Sequence, residues 1–132
     1  MILLDTHVAV WMATDTSFGK QSMAILRKAL NEDQVAISAI SFWEIAMLTT
    51  KRRLRNLKSA SDQRIKILGA GIRELPLNGE VCLLAGELEN LHADPADRLI
   101  AASAIAFNAT LMTADERLLR WRHGMQRQNA EV

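Results

Sequence analysis

ILLDTHVAVWMA, residues 2–13, is the stretch from which the fold can be read. Ile2-Leu3-Leu4 is a short apolar run ended by an acid, Asp5, and reads as a buried strand. A helical pattern, THVAVWMA, follows at once. The same alternation recurs along the chain. VAIS (35–38), IRELPL, stopped by Pro76, and TLMT (110–113) read as strands. Helices are expected in SFGKQSMAILRKALNED, capped by Ser17, and in SFWEIAML, starting at Ser41. Further helices are expected in SASDQRIKILGAG, NGEVCLLAGELENL, DPADRLIAASAIAFN and ERLLRW. The closing HGMQRQNAEV has room for a last edge strand. Strands alternating with helices imply an α/β domain with a central, mostly parallel sheet of four to five strands and helices on both faces.

The 132 residues suit one domain with a real core. A formal net charge of +1 excludes the global basic field of a strong nonspecific nucleic-acid binder, so an anionic partner must meet a local patch. The single cysteine, Cys82, excludes a disulfide within the chain and reads as a buried structural thiol in VCLLA. MILLDTH is not the start of a signal peptide, and LIAASAIAF is too short to span a bilayer. A cytoplasmic protein with no membrane partner is the expectation.

In parallel sheets, sites form at the carboxyl ends of strands, where helices begin. Four acids stand at such places: Asp5 after the first strand, Glu44 after VAIS, Asp97 in DPAD, and Asp115 after TLMT. Each has a structural reading. Ser41 and Glu44 fit a capping box; Asp94, Pro95 and Asp97 fit an N-cap, N1 and N3; Asp5 and Asp115 fit N-caps. Together they suggest more. Carboxylates gathered at one sheet edge repel, and a cation relieves them. Oxygen ligands without a Cys or His cluster suit Mg²⁺ or Mn²⁺. Such pockets hydrolyse phosphodiesters.

The blocks LLDTHVAVWMA, SAISFWEIAML, LHADPADRLIAASA and LMTADERLL, in this order, resemble the PIN-domain superfamily and, within it, VapC-type toxins of bacterial toxin–antitoxin pairs. The resemblance runs from residue 2 to about residue 121. It implies a PIN-like nuclease domain, placed here at 1–126 with a tail at 127–132, and a metal-dependent endoribonuclease. Asp5, Glu44, Asp97 and Asp115 match the family's acids and would bind Mg²⁺ or Mn²⁺, whose activated water attacks the RNA phosphodiester. The family's products carry a 5′-phosphate and a 3′-hydroxyl. Asp94 belongs to a variant of the third block and is a supporting candidate. Thr6 and Thr113 match small hydroxyl positions that could hold an acid or a water. The implied partners are RNA, a cognate antitoxin, a second copy in a homodimer, and DNA only through the antitoxin. The alternatives are a catalytically silent PIN-like binding module acting through its antitoxin and DNA, and a phosphoacceptor receiver domain. The receiver reading lacks an acidic neighbour to Asp5 and any lysine after Lys66.

Arg98 is expected to pair with a nearby acid, or else to contact substrate phosphate. Lys51, Arg52, Arg53, Arg55 and Lys58 form the dense basic run, by default a solvated face and otherwise a phosphate contact. Trp11, Trp43 and Trp121 are expected in the core or an interface, and His7, His92 and His123 lack metal-ligand spacing.

Overall fold

Ile2–Leu4 (β1), Val35–Ser38 (β2), Arg73–Leu75 (β3), Thr110–Thr113 (β4) and Arg127–Asn129 (β5) form one sheet in the order β3-β2-β1-β4-β5. Every pairing is parallel. The computed structural model describes residues 1–14, 18–51 and 59–132. The expected Ser17 cap and the basic run from Arg52 to Lys58 lie outside the described residues.

The helices are Thr6–Thr14 (α1), Lys20–Asn31 (α2), Ala39–Thr50 (α3), Ala60–Gly69 (α4), Gly79–Glu87 (α5), Pro95–Ala106 (α6) and Glu116–Arg120 (α7). Strand alternation distributes the core between two faces. Ile2, Leu4, Val35, Ile37 and Met112 point to one, where Val8, Leu26, Ile45 and Ile67 from α1 to α4 cover them. Leu3, Ala36 and Leu111 point to the other, against Ile100, Ala101, Ala104 and Leu118 of α6 and α7. Leu3, Leu4, Ile37, Ile100 and Leu111 are fully buried, each contributing about 1.5–3 kcal/mol. The alanines of α6 let that helix approach the sheet closely.

The last edge strand expected in the closing residues forms as β5 beside β4. Beyond it the chain seats the start of α2: Gly19 N donates to Ala130 O at 2.9 Å and Ser22 N to Val132 O at 3.1 Å. A Cβ at Gly19 would stand 2.0 Å from the Val132 carbonyl carbon, so only glycine permits the approach.

Two local expectations are corrected. The start of α3 is not a capping box on Ser41. Ser38 is the N-cap, its hydroxyl accepting from Ile40 N at 3.3 Å. The helix begins directly at the strand end, which carries Ser41 inward and Glu44 into the second turn. Cys82 is exposed, because α5 buries Val81 and Ala85 and the next residue along faces outward. Trp43 is 53% exposed, while Trp121 is buried. None of the described helices is long and apolar enough to cross a membrane.

Candidate functional site

The chain winds β1 to β2 to β3 in one direction, then places β4 on the other side of β1. The carboxyl ends of β1 and β4 therefore flank the point where strand order reverses, where open parallel sheets form their crevice. Leu4 is in register with Met112, so Asp5 emerges beside Thr113. A cavity of about 300 Å³ opens there, lined by acids Asp5, Glu44, Asp94, Asp97 and Asp115 together with Arg117. His7, Trp11 and Ala114 complete its wall.

Asp5 is buried and fixed at both oxygens. Thr6 N donates to Oδ1 at 2.8 Å and Thr113 Oγ1 to Oδ2 at 2.7 Å. Burial pushes its pKa up; the Thr113 and Thr6 hydrogen bonds oppose that, and the Asp115 charge adds to it. Glu44 enters from α3. Thr6 Oγ1 lies 2.5 Å from Glu44 Oε1 and 2.8 Å from Ser41 Oγ. With one hydroxyl hydrogen, Thr6 donates to the carboxylate and accepts from Ser41. Glu44 is also raised, by desolvation first, against the Thr6 bond and with repulsion from Asp5, Asp97 and Asp94.

Asp94 is the N-cap of α6, accepting from Asp97 N at 3.1 Å, with Pro95 in the first turn. That start holds Asp97, buried, toward the crevice. Its Oδ2 lies 2.6 Å from His92 Nε2 and 3.4 Å from Arg117 Nη2. Desolvation raises its pKa, the His92 bond lowers it, and Asp5, Asp94 and Asp115 raise it again. Asp115 caps α7 through Arg117 N at 2.8 Å and holds the same guanidinium at 3.1 Å. Desolvation pushes Asp115 up, but its bonds to Arg117 outweigh this and its pKa is lowered.

The structure thus brings Asp5, Glu44, Asp94, Asp97 and Asp115 to one pocket, with Thr6 and Thr113 as the hydroxyls that fix two of them. Arg98 is turned elsewhere and pairs with no acid among the described residues. Its guanidinium donates to the carbonyls of Ala85, Leu91 and Leu88 at 2.9, 2.9 and 2.6 Å, closing the end of α5 and the loop after it. Sequence reading missed His92, Arg117 and Ser41. His92 sits in an irregular loop with no ligand spacing, and nothing in the spacing of ERLLRW singles out Arg117. The signal that could have found Arg117 is its place two residues after a helix-capping acid.

Ligand atoms of His92, Asp97 and Asp115 lie within 4.8 Å of one another, the group among the described residues that could hold an ion. Asp5 and Glu44 line the same cavity outside that tight cluster. The donor chemistry fits a divalent cation: three carboxyl groups there are held above their ordinary pKa by burial and crowding, and a cation would remove that penalty.

The PIN-domain family model matches residues 2–123. The chain is 34% identical over 123 residues to Ribonuclease VapC22 of Mycobacterium tuberculosis, covering 92% of each. Among solved structures it is similar to VapBC2 from Rickettsia felis bound to a promoter DNA fragment, with TM-score 0.69, 24% identity and 98% of each chain covered. It is equally similar to VapBC-1 from nontypeable Haemophilus influenzae, with TM-score 0.70, 21% identity and both chains fully covered. These two likenesses concern the fold.

Proposed function

The chain belongs to the PIN-domain family, and from that premise we propose that it is a metal-dependent endoribonuclease, the toxin of a toxin–antitoxin pair. The observation that carries this is the convergence of Asp5, Glu44, Asp97 and Asp115 at the β1/β4 crevice of a chain matched over residues 2–123. The relative named as a ribonuclease, 34% identical over nearly the whole chain, supports RNA as substrate. Neighbours solved as VapBC complexes, one on promoter DNA, support an antitoxin partner and contact with DNA through it.

Asp5, Glu44, Asp97 and Asp115 would hold Mg²⁺ or Mn²⁺, with His92 beside Asp97 and Asp115. Such an ion supplies Lewis acidity at a phosphoryl oxygen and lowers the pKa of water. The protein's own part is positioning. Thr113 and the Thr6 amide hold both Asp5 oxygens, so that carboxylate cannot rotate. The Ser41–Thr6 pair aims Glu44 from α3. Asp94 and Pro95 fix the helix start that directs Asp97. Arg117 neutralises part of the acidic charge and lies where an RNA phosphate would arrive.

The test is cleavage of single-stranded RNA with mapped ends, with Mg²⁺ or Mn²⁺ and with EDTA, for the parent and Asp5→Asn. Cleavage should need the ion and leave a 5′-phosphate and 3′-hydroxyl. The variant should stay folded and lose roughly 10²–10³ in rate, several kcal/mol at about 1.4 per decade. Cleavage that survives in Asp5→Asn, or in EDTA, overturns the assignment. A parent that cleaves nothing yet binds its antitoxin would instead be a silent binding module.

A further inference from the structure

A second cavity, of about 560 Å³, adjoins the acidic pocket, and Arg117 lines both. Its lining reverses the sign of charge: Arg117, Arg120 and Arg122 with His92, over Trp121. All three arginines come from DERLLRWR, residues 115–122, a segment apart from the dense basic run at 51–58.

The segment that carries them is rigidly held. The Arg127 guanidinium reaches back from β5 and donates to the carbonyls of Leu118 at 2.6 Å, Trp121 at 2.8 Å and His123. Trp121 is buried, stacks on His123 at 4.4 Å between ring centroids, and donates from Nε1 to Glu89 O at 2.9 Å. These bonds preorganise the backbone beneath Arg120 and Arg122. Arg120 has an ion pair with Glu116 at 3.0 Å, but both side chains are largely exposed. An exposed pair of this kind exchanges readily for a phosphate.

We propose that this cavity is the RNA track: the strand leaves the acidic pocket past Arg117, and backbone phosphates flanking the scissile bond rest on Arg120 and Arg122. The proposal rests on the ribonuclease reading and adds the direction and contacts of the substrate. A polyanion is the ligand this lining fits, since three guanidinium groups converge there, while of the neighbouring acids Asp97 and Asp115 are paired with Arg117 and only the exposed Glu116 competes for Arg120. Continuity with the acidic pocket favours RNA over an acidic protein segment, because one chain then spans both cavities.

The experiment measures binding of a fluorescein-labelled single-stranded oligoribonucleotide in EDTA, so that the RNA stays intact, from 50 to 200 mM salt. The proteins are the parent, Arg120→Gln/Arg122→Gln, and a control, Arg64→Gln/Arg73→Gln, whose arginines pair with Glu74 and Asp33 around β3. Two lost phosphate contacts should reduce the slope of log affinity against log salt by about 1.4, at about 0.7 per contact for single strands. The control should match the parent. In Mn²⁺ the cavity variant should raise KM for RNA and leave kcat unchanged, a split that a general loss of structure would not give. A slope and KM equal to the parent's overturn the proposal and leave the cavity to a protein partner. A parent that neither binds nor cleaves RNA overturns the ribonuclease reading itself, and is thereby distinguished from failure of the track alone.

Discussion

Thr113→Val is the perturbation that tests the pocket most directly. Thr113 is fully buried at the end of β4. Its hydroxyl donates to Asp5 Oδ2 at 2.7 Å and accepts from Asp115 N at 3.0 Å, so one oxygen joins two acids from different strands. Valine keeps the shape and removes both bonds. A hydrogen bond to a charged group contributes about 1.5–3 kcal/mol and a neutral one about 1, so the loss should be roughly 2–4 kcal/mol. For a domain of this size that lowers Tm by roughly 8–16 °C, taking roughly 4 °C per kcal/mol. The pH dependence gives a sharper test. Burial raises the Asp5 pKa above 3.8 and the Thr113 bond opposes the rise. A folded-state pKa above the unfolded one means that the native protein binds the proton more tightly. The Asp5 contribution to stability therefore declines as pH climbs from about the unfolded value to the folded one. Without Thr113 the folded value rises further and the decline continues to higher pH. The Tm gap between parent and variant should therefore widen with pH, then level off once Asp5 is ionised in both. Thermal melts by circular dichroism in EDTA, from pH 4 to 9, measure it, and Thr113→Ser should recover most of the loss. A gap under 2 °C, or one that narrows as pH rises, refutes the reasoning.

The contribution of Asp5, Asp97 and Glu44 to metal-free stability should fall as pH rises above their ordinary values of 3.8, 3.8 and 4.5, since all three are raised; saturating Mn²⁺ should flatten that part of the slope in melts across pH. Calorimetry in buffers of different ionisation enthalpy should show protons released as Mn²⁺ binds, with tighter binding at higher pH. Arg98→Ala should cost roughly 2–3 kcal/mol in urea unfolding by leaving carbonyls at the end of α5 without a donor, and Arg98→Lys should restore little, because an ammonium cannot span those acceptors. Cys82, being exposed, should react stoichiometrically with a thiol reagent in the native protein while RNA cleavage continues; protection until unfolding would contradict its placement. Leu111→Ala, in the centre of β4, should destabilise by about 2–5 kcal/mol without changing the metal requirement.

Much of this was legible in the residues alone, for identifiable reasons. Ile2-Leu3-Leu4, VAIS and TLMT are short apolar runs, each closed by polar residues, and they became the three central strands. Asp94-Pro95 predicted the start of α6 because capping is a local interaction, complete within four residues. Ser41 misled for a related reason. Its spacing to Glu44 satisfies the capping pattern, yet a helix that begins at a strand end is capped by the strand's last residue, Ser38, and neither spacing nor propensity records where the strand stops. Cys82 misled because residue type predicts average burial, whereas the face of a helix that meets the sheet depends on its neighbours.

The sequence by itself determined the alternation of strand and helix, the parallel sheet that follows from it, and the four acids that follow its strands, three of them at helix starts and Glu44 one turn further on, since each is written in contiguous residues. Tertiary structure decided which side chains surround those acids. Thr113 meets Asp5 across 108 positions, Thr6 meets Glu44 across 38, and Arg117 meets Asp97 across 20. Strand order β3-β2-β1-β4-β5 produces the first of these contacts by setting β4 beside β1. The packing of the helices on that sheet produces the other two. Hydrogen bonds and charges act over a few ångströms of space, and only the folded chain determines which distant residues come that close.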